Sequence, residues 1–89
     1  MADTAEILRV AAQAIESYWP DLRLDVVTAI RIAAGPSDDG PEAAERALCA
    51  LATHLEYGRL NVWSDRQPTI TVTAELRKAA DAAEGADAR

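Results

Sequence analysis

The chain has one cysteine and one histidine, Cys49 and His54, five residues apart in a stretch patterned as a helix. At 3.6 residues per turn that spacing sets them about 140° apart around the axis, so a single helix does not bring them together as nucleophile and base. Cys49 borders the apolar stripe beside Leu48 and Ala52, which predicts a buried, inert thiol. His54 reads as a half-exposed residue near a helix end, where the dipole favours a protonated imidazole. A transition-metal site needs about three or four converging ligands, and one Cys, one His and scattered carboxylates do not supply them. Asp38, Asp39, Glu42 and Glu45 form the densest acidic group, but they lack the ordered ligand positions and turn glycine of a calcium loop. A solvated loop running into a helix start is the better reading. There is no glycine-rich phosphate cradle, serine elbow or His-Glu-x-x-His. The sequence therefore predicts no catalytic residue, no metal ligand and no cofactor.

What remains is an island from Gly58 to Thr71, where the alanine-rich helical pattern breaks and Trp63, Ser64, Asp65 and Arg66 appear together. An indole in such a connection either covers the ends of the helices or anchors a partner. Asp65 and Arg66 beside it offer charge-assisted hydrogen bonds to a partner, and Asp65 has a local role open to it in an Asx-type turn before Pro68. Tyr18 and Trp19, at the end of the first helical stretch, extend the same candidate surface.

The elements that position these residues are helical. Asp3, three residues before Glu6, marks a capping box, and Ile7, Leu8, Ala11, Ile15, Tyr18 and Trp19 fall on one arc of a first helix that ends about Tyr18. Pro20 disfavours helical geometry at Trp19. Asp25 reads as the N-cap of a second helix over 26–34, stopped by Gly35-Pro36; an alternative is a short strand through Leu22, Leu24 and Val26. Because that second helix is apolar nearly all round, it is expected to be central. A third begins at Pro41, runs to Tyr57 and stops at Gly58, with Ala44, Leu48, Leu51, Ala52 and Leu55 inward. Thr69 or Thr71 caps a fourth, with Val72, Leu76, Ala79, Ala80 and Ala83 as its stripe. The rival reading pairs 60–63 with 69–73 as a β-hairpin. Residues 85–89 are expected to fray.

The predicted fold is thus a single all-α domain over 1–89, a small bundle of about four helices, with three helices plus a hairpin at 60–73 as the alternative. At 89 residues, with no Phe and much of its apolar content in alanine, the chain brings little volume to a core, so a self-association surface would help. A net charge of −6 argues against a phosphate backbone as partner. No run is apolar enough to span a bilayer and no secretory leader is recognisable, so the cytoplasm is predicted and membrane binding is not.

The stretch 47–55 (Ala-Leu-Cys-Ala-Leu-Ala-Thr-His-Leu) and the step Val62-Trp63-Ser64-Asp65, followed by Thr69, Leu76, Arg77, Ala79 and Ala80, resemble a group of small actinobacterial and phage proteins classed as a domain of unknown function. The similarity extends more weakly to 11–15 and 29–34. A Cys-Ala-Leu-Gly step associated with that group's second helix is replaced here by Val26-Val27-Thr28-Ala29. The resemblance implies an all-helical fold and an actinobacterial or phage origin, in line with the GC-rich genome suggested by Arg at eight of the nine basic positions, and carries no activity. The predicted function is a small acidic protein-interaction module, with a protein partner or a second copy of itself. A second reading is an accessory protein that occupies a basic site on a host protein, and a third is a small-ligand binder or enzyme with His54 and Asp65 in one pocket.

Overall fold

The computed structural model describes residues 3–19, 21–36 and 38–87. Among the described residues five helices follow one another: α1 (Thr4–Tyr18), α2 (Val26–Ala34), α3 (Gly40–Leu55), α4 (Leu60–Arg66) and α5 (Thr69–Asp87). No strand occurs among the described residues, so the hairpin at 60–73 and the strand through Leu22 are both set aside.

Local chemistry sets the first two helix starts. The Asp3 carboxylate accepts the Glu6 amide at 2.7 Å, and Asp25 accepts the Thr28 amide at 2.8 Å and its hydroxyl at 3.1 Å. Each relieves an amide with no partner inside its own helix. Trp19 takes an extended conformation as the α1 C-cap, as a residue before proline should; Pro20 itself lies outside the described residues. Gly35, with φ of 83°, ends α2. The backbones then approach closely. A Cβ on Gly40 would stand 2.4 Å from the Gly35 carbonyl oxygen, so only glycine fits where α3 begins.

α1 is the organising helix and contacts α5, α2 and α3; α2 contacts α1, α3 and α4. The expectation of a central α2 is corrected in that Val26, Ala29 and Ile30 are buried but Ile32 is exposed. α1 and α5 run antiparallel. Arg9, early in α1, pairs with Asp81 and Glu84 at 2.7 and 2.5 Å, whereas Glu16, near its end, pairs with Arg77. The core joins Ile7, Leu8, Ile15, Ile30, Leu51 and Leu76 with fully covered alanines at 11, 12, 29, 47 and 80. Each large side chain contributes about 1.5–3 kcal/mol by leaving water, and the alanines let the helices close on one another.

Three boundaries differ from expectation. α3 ends at Leu55, and Glu56 rather than Gly58 takes the left-handed conformation, with φ of 55°. A seven-residue helix, α4, occupies the island between α3 and α5. α5 continues through Gly85 to Asp87 instead of fraying from Gly85; residues 88–89 lie outside the described set. A single glycine costs a helix only about 1 kcal/mol, and the Arg9 to Glu84 tie holds the turn just before it.

Candidate functional site

α4 is too short to be stable alone, since helix nucleation costs more than a few hydrogen bonds return. Tertiary contacts hold it. Leu60 and Ser64 are buried on its inner side, and Trp63 is partly buried, packed against the core. The Ser64 hydroxyl accepts the Val26 amide at 3.1 Å, which satisfies a donor at the start of α2. In return the Arg23 guanidinium donates to the Ser64 carbonyl at 2.7 Å and to the Gln67 carbonyl, covering the C-terminal end of α4. The segment between α1 and α2 is therefore fastened to the end of α4 through groups that face each other in both directions.

That fastening brings the expected surface residues to one end of the molecule. Tyr18 and Trp19 are 49% and 51% exposed. They leave the inner arc on which the sequence pattern set them, because α1 ends at Tyr18, beyond the buried Ile15. Leu22 follows at 52% exposed, and its amide donates to the Tyr18 carbonyl at 2.8 Å. Ile70 at the start of α5 is 78% exposed, three residues beyond the Gln67 carbonyl that Arg23 holds. Asp65 and Arg66 stand exposed on the outer side of α4 at this same end. Leu22 and Ile70 were not among the expected surface residues. A signal for Ile70 was present, since it lies about 200° around the helix from Val72, the first residue of the α5 stripe.

Cys49 departs from its expected setting, whereas His54 is the partly exposed residue in the last turn of α3 that the sequence led one to expect. Cys49 is exposed, not buried. The α3 core face runs through Ala43, Ala44, Ala47 and Leu51, and position 49 lies about 200° from Ala47 and about 160° from Leu51. His54 is partly buried and its Nε2 lies 2.9 Å from Oε2 of Glu75 on α5, while Lys78 Nζ approaches the other Glu75 oxygen at 3.3 Å. Burial, the largest single influence, pushes the Glu75 carboxyl up, yet the hydrogen bonds from His54 and Lys78 together bring it below the usual carboxylate value.

The clefts separate the residues that an enzyme reading would need together. One of about 330 Å³ between α3 and α5 is lined by Cys49, Thr53, His54 and alanines, with Asp65 elsewhere. Among the described residues no three His, Cys, Asp or Glu side chains converge as metal ligands, and no helix is long and apolar enough to cross a membrane. Compared with protein-family models, with curated proteins and with solved structures, the chain matches none.

Proposed function

We propose that this protein is a small acidic interaction module that meets a protein partner through the end of the bundle bearing Tyr18, Trp19, Leu22 and Ile70, and that also associates with itself. The supporting observation is the exposure of these four side chains, out of seven exposed large hydrophobics among the described residues, on segments that the Arg23 contacts to Ser64 and Gln67 bring to one end. Scattered exposed apolar groups are ordinary, whereas an apolar group gathered at one end of a small protein marks a contact surface. Trp and Tyr anchor such contacts well, because each brings a large area with few torsions to immobilise. Trp63 supports the surface from the core side, and Asp65 and Arg66 form its polar rim. Origin in the actinobacterial and phage group, and work in the cytoplasm, remain part of this reading.

The test is affinity capture from the native host with the wild-type chain and with Trp19→Ser, Leu22→Ser and Ile70→Ser, each checked for helicity by circular dichroism. The reading expects one or more proteins retained by wild type and lost with these variants, with little change between low and moderate salt. Retention by all the variants defeats it. Binding that ignores the variants but falls steeply with salt supports the acidic-antagonist reading instead. That second reading draws on a smaller anionic surface, because Glu16, Glu42, Glu75, Asp81 and Glu84 all face cations of this same chain.

A further inference from the structure

Three clefts meet on the α2 and α3 side of the molecule. The first, about 440 Å³, lies between Arg31 on α2 and Ala44, Glu45 and Leu48 on α3, with the Gly35 and Gly40 backbones closing one end. The second, about 250 Å³, shares Leu48 and continues past Val27 and Ala52 to Leu60. The third, about 440 Å³, shares Arg31 and Gly35 and ends at Ile32. The first two form an open trough along the junction of α2 and α3, with Val27, Leu48 and Ala52 along it, and the third opens beside it on α2. A small molecule would be poorly covered there, since small-molecule sites enclose roughly 70–90% of their ligand. An extended protein surface fits the shape better.

Charge selects the occupant. Arg31 and Glu45 flank the first cleft, and neither makes an ion pair or a side-chain hydrogen bond with any described residue. A chain of net charge −6 repels its own copies in general. Here one cation and one anion balance locally across an apolar floor. Contacts in a twofold dimer are reciprocal, so a surface carrying both signs on either side of the axis is complementary to itself.

We propose that the α2 and α3 trough is the face at which two copies of this chain associate, with Arg31 of each copy against Glu45 of the other and Leu48 near the twofold axis. The proposal rests on the self-association part of the reading above and assigns it a surface separate from the aromatic end. It also accounts for the exposure of Ile32 on a helix that is otherwise apolar nearly all round.

The experiment is sedimentation velocity on the full chain from about 1 μM to 1 mM, with Arg31→Glu, with Glu45→Arg, and with the two variants mixed in equal amounts. The wild type should dimerise in this range. Either substitution alone sets like charges opposite each other and should weaken the dimer on the order of tenfold or more. The mixture restores both opposite-charge contacts and should recover the dimer to within about threefold of wild type. Only an intermolecular pair gives that recovery, because an Arg31 to Glu45 contact within one chain is absent from both variants. Leu48→Asp should abolish the dimer, and Trp19→Ser should leave it unchanged. A dimer insensitive to the charge variants, or a mixture that fails to recover, overturns the proposal. If Trp19→Ser alone dissolves the dimer, self-association stands but this surface does not. A wild-type monomer at every concentration overturns self-association altogether and leaves the partner surface to the capture experiment.

Discussion

Ser64 links two helices with its two polar groups: the hydroxyl takes the Val26 amide at 3.1 Å and the carbonyl takes the Arg23 guanidinium at 2.7 Å. Ser64→Ala keeps the carbonyl contact and removes the hydroxyl, leaving a buried amide unpaired at the start of α2. The expected loss is about 1–3 kcal/mol in urea unfolding, and a loss below about 0.5 kcal/mol would mean that another group takes the hydroxyl's place. Glu75 supplies a pH signature. Its folded carboxyl sits below the ordinary 4.5, so its contribution is present above that value and fades as the pH falls through the lower, folded one. Glu75→Gln should therefore lie furthest below wild type in stability just above the ordinary carboxylate range, at about pH 5–6, and converge with it as the pH falls through the lowered value of the folded state. A constant gap across that range would show that the change acts through packing. Neither pairing was legible in the sequence, because Ser64 and Val26 are 38 residues apart and His54 and Glu75 are 21 apart.

Elements defined by local chemistry were legible, and those made by tertiary contact were not. α1 and α2 start at Asp3 and Asp25 because a carboxylate caps amides a few residues on, and α2 stops at Gly35 because a left-handed residue is needed there. α4 has no side-chain cap and only seven residues. Its polar step of Trp63, Ser64, Asp65 and Arg66 read as a loop, since the partners that stabilise it lie on the segment before α2. The inward face of α3 was set about one position too far along, so Cys49 was expected inside. Ala43 and Ala47 make the close contacts there, and small side chains carry little weight in a hydrophobic pattern. At the α2 to α3 corner the element-scale prediction is Gly40→Ala. Its methyl would meet a backbone oxygen at 2.4 Å, which no rotamer change relieves. The expected cost is about 1–3 kcal/mol with helicity retained, measured by thermal and urea unfolding. Unchanged stability would mean the corner opens without penalty.

The whole molecule is a core of modest side chains inside a surface of net charge −6. Its all-helical class was legible from periodicity except at 60–73, where alternation left a hairpin open and the family resemblance favoured helix. The candidate site was only half legible: Tyr18, Trp19, Asp65 and Arg66 come to one end, as their sequence neighbourhoods allowed, while Trp63 packs against the core, Leu22 joins from the segment between α1 and α2, and Ile70 joins from the side of α5 opposite its stripe. The central claim is that this end is where the protein meets its partner. It is tested most directly by a photo-crosslinking side chain placed at Leu22 in the native host, with Arg59, which is exposed and precedes the other end of α4, as control. A discrete adduct is expected from position 22, suppressed by Trp19→Ser and Ile70→Ser, and none from position 59. Equal adducts from both positions, or an adduct from position 59 alone, would contradict it.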